Sequence, residues 1–335
     1  MLEGHGDDLH LIKKDIKANF SSNVYFGGCP AELTKVLQKG LSCISNYPSP
    51  VANELNVHAG NHYGLNAESF LFTNGATEAF YLLAHLFQGK TASIVVPTFA
   101  EYEDACLAHG VEVNLIQPAE LESVQTDCVF ICNPNNPDGK AWNDQALWSL
   151  IKRKSNVHFI IDEAYIEFTA TTASLIEKTQ HCKNLTVVRS LTKTFVIPGV
   201  RLGYLVSNNA IIEELKMKKM PWSVNAMAIL AGAFIFKNYE KLKFDLYLVL
   251  EEKERLCQAI NKIDGFECKL SSTSYFLVEL KFGKAKELKE YLIEQHQVLV
   301  RDATNFKGLD GQYIRVAVQS DAQNQRLING LKEWS

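Results

Sequence analysis

Residues 187–206 read VVRSLTKTFVIPGVRLGYLV, in which a β-branched run leads through a polar segment and a proline–glycine turn into a second apolar run. Each apolar run predicts a buried strand, so the segment between them connects two strands at one edge of a sheet. Lys193 lies in this connection, three residues after Ser190 and eight before Arg201. A single lysine in such a place is usually a surface charge. Its role therefore depends on which other residues reach the same edge.

The chain around this stretch alternates short β-branched runs with amphipathic stretches. The runs are ASIVVP (92–97), CVFICN (128–133), VHFII (157–161), LTVVRS (185–190) and GYLVS (203–207). Continuous apolar strands separated by helices indicate a mostly parallel sheet that is covered on both faces. The predicted fold class is therefore α/β.

The pattern changes after residue 222. We expect one long helical stretch from 225 to about 263, followed by strands at 274–280, 298–302 and 313–318. This is an α+β arrangement, typical of a second and smaller domain. The predicted organisation is an amino-terminal arm over residues 1–29 that packs with the small domain, a large domain over 30–222, and a small carboxy-terminal domain over 223–335.

The composition is that of a globular protein without an excess of positive charge. Of the 335 residues, 47% are hydrophobic and 21% are charged, with a net charge of -4, so a nucleic acid is not an expected partner. The amino terminus lacks the apolar core of a signal peptide, and no apolar run is long enough to span a membrane. The eight cysteines have no paired spacing that would predict a metal site or a disulfide framework. We therefore expect a soluble, cytoplasmic protein.

Polar motifs follow the predicted strands at the points where the strands end. NPNNP (133–137), DEAY (162–165) and SLTK (190–193) each follow one apolar run. In open parallel sheets, ligands bind beyond the carboxyl ends of the strands. The segment TNGATE (73–78) adds a helix start, where free N–H groups and the helix dipole attract a phosphate. Arg201 and the Ser190 hydroxyl can complete such an anion site.

Each motif also has a purely structural explanation when it is taken alone. TNGATE is then a capped helix start, NPNNP is a turn, Asp162 is an N-cap and Lys193 is a surface charge. Their joint occurrence, in order, at successive strand ends favours the functional interpretation.

The ordered set N-G-x-T-E (74–78), N-P-N-N-P-x-G (133–139), D-E-A-Y (162–165) and S-L-T-K (190–193) with Arg201 resembles the fold-type I, pyridoxal-phosphate-dependent enzymes of the aminotransferase class I/II superfamily. The resemblance covers nearly the whole chain. It implies a large domain with a mostly parallel sheet between helices and a smaller α+β carboxy-terminal domain. It also implies pyridoxal 5'-phosphate as cofactor and Lys193 as the residue that forms a Schiff base with it. A lysine suits this role because its pKa falls readily when the amine is desolvated near other cations.

The resemblance also assigns the other cofactor contacts. Asp162 pairs with the pyridinium nitrogen and keeps it protonated, so that the ring can accept electrons. Phe99 stacks on the ring, and Asn136 and Tyr165 form hydrogen bonds with its phenolate oxygen. Tyr47 reaches the phosphate from a neighbouring subunit, which implies a homodimer. The remaining phosphate contacts come from Gly75, Ala76, Thr77, Ser190 and Arg201.

Two groups within the superfamily share more of the pattern, the threonine-phosphate decarboxylases and the histidinol-phosphate aminotransferases. The early His5-Gly6, the run FSSNVYFGGCP (20–30) and PWSVNA (221–226) favour the first group. That resemblance implies decarboxylation of L-threonine O-3-phosphate to (R)-1-amino-2-propanol O-2-phosphate and CO2, in cobalamin biosynthesis. The alternative is a transamination of histidinol phosphate in histidine biosynthesis. Asp7, in place of a glycine, and Asp138, in place of a threonine, depart from the pattern.

Both activities imply a small phosphorylated substrate. By resemblance, Arg315 takes a carboxylate, because a planar guanidinium can donate two hydrogen bonds to it. Arg301 faces the substrate phosphate, although it could instead pair with Asp302. The predicted substrate-binding residues are His5, Gly6, Asn23, Asn136, Arg301 and Arg315. A non-catalytic binding module is a third possibility, which the intact motif set disfavours.

Overall fold

The structure of the protein, a computed structural model, describes residues 7–335. Its strands are β1 (Ala18–Asn19), β2 (Phe70–Thr73), β3 (Thr91–Val95), β4 (Glu112–Ile116), β5 (Cys128–Cys132), β6 (His158–Asp162), β7 (Leu185–Ser190), β8 (Gly203–Val206), β9 (Phe266–Cys268), β10 (Tyr275–Leu280), β11 (Val298–Leu299), β12 (Arg301–Asp302) and β13 (Tyr313–Ala317). The α-helices are α1 (Ala31–Lys39), α2 (Asn53–Tyr63), α3 (Gly75–Leu86), α4 (Glu101–Ala108), α5 (Asp144–Arg153), α6 (Asn209–Lys218), α7 (Ala226–Lys237), α8 (Tyr239–Leu242), α9 (Leu246–Ile260), α10 (Ala285–His296) and α11 (Asp321–Trp334). Short 3-10 helices occupy Asp8–Leu11, Leu41–Ser45, Ala67–Ser69, Pro118–Ser123, Ile166–Phe168, Ile176–His181 and Pro198–Val200.

The large sheet contains seven strands in the order β2-β8-β7-β6-β5-β3-β4. β8 is antiparallel to both of its neighbours, and the other pairs are parallel. The five strands predicted from β-branched runs are β3 and β5 to β8, so the predicted α/β sheet is confirmed. β4 has no continuous apolar run that would predict a strand, because this edge strand exposes Glu112, Asn114 and Leu115.

Both faces of the large sheet are covered, because neighbouring residues of one strand enter different cores. In β5, Phe130 packs with α3, α4 and α6 on one side. Val129 and Ile131 pack with α5 on the other side. At the opposite end of the sheet, Phe72 and Tyr204 pack with α2 and α7. This two-sided burial explains why the strands are almost entirely apolar.

A smaller body contains the antiparallel sheet β12-β13-β10-β9, and its core includes side chains of α9, α10 and α11. The strand predicted over 298–302 is divided at Val300 into β11 and β12. β11 pairs with β1, and β12 pairs with β13. The amide of Phe20 donates to the carbonyl of Leu299 at 2.7 Å, and the amide of Ala317 donates to the carbonyl of Phe20 at 3.0 Å. Residues next to β1 are thereby held against the small sheet.

The single helical stretch predicted from 225 to about 263 is wrong. It is divided into α7, α8 and α9, and the side chain of Asp245 accepts hydrogen bonds from the first amides of α9, which starts a new helix. α7 packs in the core beneath the large sheet through Ala228 and Ile235. The domain boundary between residues 222 and 223 stays a prediction, and this packing associates α7 with the large body.

The two bodies meet at the loop that follows β5. The hydroxyl of Tyr275 in β10 donates to the carbonyl of Asn135 at 2.9 Å. Arg315 in β13 donates to Oδ1 of Asn136 at 2.5 Å. Residues of the small sheet therefore hold the loop that leaves the carboxyl edge of the large sheet.

Three further findings concern the chemistry that residues 7–335 can support. No helix within this range has both the length and the apolar character needed to cross a lipid bilayer. No cluster of three His, Cys, Asp or Glu side chains in the described part of the chain could hold a metal ion. All eight cysteines are free thiols.

Candidate active site

A cavity opens at the carboxyl edge of the large sheet. Asp162 is the last residue of β6, and Ser190 is the last residue of β7. In the parallel register, Asp162 lies beside Cys132 of β5 and Val188 of β7, so the polar residues that follow these strands meet at one edge. The residues lining the cavity are Ala76, Thr77, Phe80, Phe99, Cys132, Asn136, Asp162, Ala164, Tyr165, Ser190, Thr192, Lys193 and Arg201.

Asp162 is a buried carboxyl group held by two hydrogen bonds. Its Oδ1 accepts from the amide of Ala164 at 2.8 Å, and its Oδ2 accepts from the hydroxyl of Tyr102 at 2.5 Å. Burial raises the pKa of Asp162 to about 6, and both hydrogen bonds oppose this rise. The group is therefore mostly ionised at neutral pH and can pair with a cation in the cavity.

Lys193 is a partly exposed lysine that lines the same cavity. Burial and, to a smaller extent, the nearby charges of Arg315 and Arg201 lower its pKa to about 8. The carboxylate of Asp162 opposes the shift. An amine with such a pKa sheds its proton readily, which is what attack on a carbonyl carbon requires.

The start of α3 and Arg201 form one end of the cavity. Gly75 begins α3 with a φ of +80°, and a Cβ built there would lie 2.4 Å from a guanidinium nitrogen of Arg201. The Arg201 backbone is itself left-handed, with a φ of +61°. Only glycine can adopt this left-handed backbone conformation and also lie so close to the guanidinium group of Arg201. The free amides of the helix start, the Ser190 hydroxyl and the guanidinium can together bind a phosphate.

The middle of the cavity carries groups suited to a flat polar ring. Phe99 contributes an aromatic face and packs edge-on against Tyr102, with ring centroids 5.8 Å apart. Asn136 contributes an amide that is 5% exposed. Burial raises the pKa of the Tyr165 phenol to about 12, so its hydroxyl is a neutral hydrogen-bond donor at physiological pH.

Arg315 reaches the rim of the cavity from the small sheet. It is 4% exposed and donates to Oδ1 of Asn136 and to the carbonyl of Ser21, each at 2.5 Å. Its Nε is buried without a hydrogen-bond partner. The Asn23 amide is also buried, and its hydrogen bonding lowers the pKa of Tyr165, which places it beside that hydroxyl. Unsatisfied buried polar atoms are rare in proteins, so the Nε of Arg315 is a donor that a ligand could use.

Arg301 lies directly opposite Arg315 in the antiparallel register of β12 and β13. Opposite residues project from the same face of a sheet, with their Cβ atoms about 4.5–5.5 Å apart. The guanidinium of Arg301 donates to the carbonyl of Asp302 at 2.5 Å and to Oδ1 of Asn305 at 2.8 Å. Two like charges placed opposite each other are unfavourable unless an anion lies between or beside them.

The structure does not bring every predicted site residue to the cavity wall. Arg301, Arg315 and Asn23 are buried near it but do not line it, and Gly75, the first residue of α3, does not line it either. Tyr47 is 90% exposed and its ring packs against Trp222, so it does not reach the cavity of its own chain. His5 and Gly6 lie outside the described residues.

Sequence reasoning missed several residues of the site. Tyr102 is the most important of them, because it donates directly to Asp162. Tyr102 is the second residue of α4, and no local pattern links it to Asp162, which lies 60 residues further along the chain. Thr192 lines the cavity, and its hydroxyl lies 2.7 Å from that of Ser190. Cys132 lines it as well, as the last residue of β5.

Asp138, the departure within the NPNNP motif, has a local structural role. Its Oδ1 accepts from the side-chain amide of Asn135 at 2.8 Å and from the amide of Lys140 at 3.2 Å. It therefore stabilises the turn that carries Asn136, and it does not line the cavity itself.

The residues around the cavity fit pyridoxal phosphate. One end offers a helix start and a guanidinium for a phosphate, the middle offers an aromatic face, and the floor offers the carboxylate of Asp162 for a pyridinium nitrogen. The lowered pKa of Lys193 suits covalent attachment to an aldehyde. The tight contact of Gly75 with Arg201 leaves no room for a side chain at position 75.

Comparison with known proteins gives the family. Residues 15–331 match the family described as aminotransferase class I and II. The chain is 33% identical to threonine-phosphate decarboxylase of Salmonella typhimurium, covering 96% of this chain and 92% of that protein. It is 32% identical to a histidinol-phosphate aminotransferase of Thermoanaerobacter, covering 91% and 89%. The crystal structure of L-threonine-O-3-phosphate decarboxylase from Porphyromonas gingivalis superposes with a TM-score of 0.91, at 35% identity, covering 95% and 99%. The chain therefore belongs to the class I and II aminotransferase family and is a pyridoxal-phosphate-dependent enzyme, as its motifs predict.

Proposed function

We propose that the enzyme decarboxylates L-threonine O-3-phosphate, releasing CO2 and (R)-1-amino-2-propanol O-2-phosphate, as a step of cobalamin biosynthesis. The bond between Cα and the carboxylate breaks, and a proton takes the place of the carboxylate on Cα. No second substrate is consumed. The similarity to threonine-phosphate decarboxylases along almost the whole chain supports this activity.

The opposed pair Arg301 and Arg315 is the observation that carries the proposal. L-threonine O-3-phosphate has its carboxylate and its phosphate on adjacent carbons, so one molecule presents two anionic groups close together. Two guanidinium groups on one face of the small sheet match that spacing. Histidinol phosphate has a phosphate but no carboxylate, so of the two phosphorylated substrates only L-threonine O-3-phosphate supplies an anion to each arginine. The 2-oxoglutarate of the aminotransferase reaction also carries two anionic groups, and the substrate comparison below separates the two activities.

Arg315 orients the bond that breaks. Its unpartnered Nε and its contact with Asn136 support a role in holding the carboxylate at the rim of the cavity. Arg301 would hold the phosphate on the adjacent carbon, with Asn23 as a further donor. Two anchored groups fix the rotation of Cα about its bond to the amino nitrogen, and this rotation determines which bond of Cα is broken.

On the other side of the substrate, Asp162 stabilises positive charge on the cofactor ring, and Lys193 supplies a proton to Cα. Bound pyridoxal phosphate supplies an electron sink for the pair released from the broken bond. The Asp162 carboxylate stabilises a protonated pyridine nitrogen, and Tyr102 keeps that carboxylate ionised. The Nζ of Lys193 is the group placed to deliver the proton that Cα gains, since its pKa of about 8 lets it both carry and release a proton near neutral pH.

The competing assignment is an aminotransferase acting on histidinol phosphate, supported by relatives of nearly equal similarity. The purified enzyme, reconstituted with cofactor, should be incubated separately with L-threonine O-3-phosphate and with histidinol phosphate plus 2-oxoglutarate. We expect CO2 and a phosphorylated amino alcohol from the first, without a keto acid. Formation of glutamate from the second, with no CO2 from the first, would replace the proposal by the aminotransferase. Borohydride treatment of the coloured holoenzyme should label Lys193 in either case.

We also propose that the enzyme is a cytoplasmic homodimer in which Tyr47 completes the phosphate site of the partner. Tyr47 is nearly fully exposed, and its neighbour Trp222 is 50% exposed. Leu41 and Ile44, just before it in the chain, expose 56% and 67% of their surfaces. An apolar surface of this kind is typical of an interface between subunits. Eight unpaired cysteines are consistent with a reducing compartment.

A further inference from the structure

Asp7 closes a ring of hydrogen bonds between the amino-terminal arm and β1. Its carboxylate accepts from the side-chain amide of Asn19 at 2.6 Å, and its backbone amide donates to the hydroxyl of Ser21 at 3.1 Å. That hydroxyl in turn donates to Oδ1 of Asn19 at 2.7 Å. Three residues thus hold one another in a fixed arrangement, which we call the Asp7 ring.

The Asp7 ring is connected directly to the substrate arginine. The carbonyl of Ser21 accepts a hydrogen bond from Nη2 of Arg315 at 2.5 Å. The amide of Ser21 donates to Oδ1 of Asn19 at 3.0 Å, so Asn19 holds the residue whose carbonyl accepts from Arg315. Arg315 is buried, and its guanidinium has only a few partners to determine its orientation. A change at the Asp7 carboxylate can therefore reach Arg315 through Asn19 and Ser21.

Asp7 occupies a backbone conformation that favours glycine. Its φ is +67° and its ψ is 43°, in the left-handed region. Aspartate tolerates this region better than most residues but at a cost relative to glycine. Glycine would therefore fit this backbone conformation at a lower cost than aspartate. The hydrogen bond between the Asp7 carboxylate and Asn19 offsets that conformational cost.

We propose that Asp7 is a positioning residue that orients Arg315 for the substrate carboxylate by fixing Asn19 and Ser21. The inference rests on the proposed function in assigning the carboxylate to Arg315. The Asp7 charge also lies close enough to influence Lys193, which places the ring at the cavity. A purely electrostatic role is the competing explanation, since a carboxylate near an anionic substrate would weaken its binding.

Two substitutions separate these explanations. Asp7→Gly removes the carboxylate and suits the left-handed backbone, so it should not disturb the fold. Asp7→Asn removes the charge but keeps an oxygen that can accept from Asn19, and asparagine also tolerates this backbone. If Asp7 positions Arg315, Asp7→Gly should bind the substrate more weakly than the wild type, and Asp7→Asn should restore this binding. If the charge of Asp7 instead repels the anionic substrate, both variants should bind the substrate more tightly than the wild type.

The measurement uses the holoenzyme with L-threonine O-3-phosphate as substrate and the phosphorylated amino alcohol, which lacks the carboxylate, as competitive inhibitor. For Asp7→Gly we expect KM to rise about threefold to tenfold, the effect of one lost hydrogen bond, with kcat changed by less than about twofold. The inhibition constant of the amino alcohol should stay unchanged, because it does not use Arg315. An equal rise in KM and in that inhibition constant, an unchanged or lower KM, or the same KM increase in Asp7→Asn would overturn the proposal.

A second readout does not depend on activity. Lys13 and Lys14 follow Asp7 in the arm, and trypsin cleavage after them can be timed by mass spectrometry. Loss of the ring should accelerate this cleavage in Asp7→Gly but not in Asp7→Asn, and equal rates in all three proteins would count against the ring. If the wild type fails to decarboxylate threonine phosphate, the proposed function fails while the proteolysis still tests the ring.

Discussion

The hydroxyl of Tyr102 lies 2.5 Å from Oδ2 of Asp162, with both side chains buried beneath the cavity. Burial raises the pKa of each group, and the shared hydrogen bond keeps the proton on the tyrosine and the charge on the aspartate. The buried carboxylate thus has a hydrogen-bond donor that favours its ionised form.

Replacing Tyr102 by phenylalanine should raise the pKa of Asp162 further. Losing a hydrogen bond to a charged group costs about 1.5–3 kcal/mol, which corresponds to about 1–2 pH units. Since the ionised form is the active one, the acidic limb of the kcat/KM profile should move to higher pH. Tyr63→Phe is a matched control, because its hydroxyl bonds to Tyr204 outside the cavity, at 2.7 Å. An acidic limb that does not move in Tyr102→Phe would contradict this role.

Replacing Lys193 by methionine should abolish turnover and stabilise the protein without cofactor. The pKa of Lys193 falls from an ordinary 10.5 to about 8 on folding, so the folded state binds its proton less tightly than the unfolded state. This penalty is complete below about pH 8 and disappears above about 10.5. We expect a gain of about 1–3 kcal/mol in the free energy of unfolding at pH 7, shrinking as the pH rises through that window. Denaturant titrations at pH 7 and pH 10 measure it, and a gain that grows with pH would have the wrong sign.

Replacing Gly75 by alanine should weaken cofactor binding. The new Cβ would meet Arg201 at 2.4 Å, in a backbone conformation that alanine rarely adopts. Gly64→Ala is the matched control, because Gly64 has a φ of +66° but no atom within 4 Å of the added Cβ. Both variants should lose about 1 kcal/mol of stability from the backbone alone. Only Gly75→Ala should lose cofactor during dialysis, as followed by visible absorbance, and equal losses would exclude a specific effect of the contact.

Replacing Arg189 by methionine should destabilise the fold severely. Arg189 is 4% exposed and pairs with Glu163, which is 1% exposed, at 3.2 Å. Without the arginine, Glu163 is left as an unpaired buried charge, at a cost of about 3–5 kcal/mol. The double variant with Glu163→Gln should recover part of that loss in equilibrium unfolding. A double variant as unstable as the single one would show that the charge is not the cause.

Mixing two inactive variants tests the shared site. One carries Lys193→Met and the other carries Tyr47→Ala, and each homodimer has two defective sites. After subunit exchange, every mixed dimer contains one intact site if Tyr47 acts in the partner, so about a quarter of the wild-type activity should return. If Tyr47 serves its own chain, no intact site forms and activity does not return. Sedimentation velocity on each variant checks that dimers persist.

The sequence predicts the large sheet well because its strands are buried on both faces and read as apolar runs, as β5 and β7 do. It fails where burial is one-sided or absent, as in the exposed edge strand β4. The helix boundaries after residue 225 depend on Asn238, which ends α7, and on Asp245, which caps the start of α9. These are single polar residues, and the apolar residues around them give the sequence the appearance of one continuous helix. The motif residues could be predicted because the carboxyl ends of parallel strands converge at one edge of the sheet. The contact of Tyr102 with Asp162 and the pairing of Arg301 opposite Arg315 could not, because each joins segments that are distant in the sequence.

The connection between β7 and β8 carries Lys193 near its beginning and Arg201 at its end. A cofactor bound by both residues would be anchored near both ends of this one connection, within the large body. The two arginines proposed to hold the substrate belong instead to β12 and β13 of the smaller body. Cofactor and substrate would therefore be anchored on different bodies. Residues at the contact between these bodies, such as Tyr275 with Asn135, can then influence the alignment of the two molecules without touching either of them.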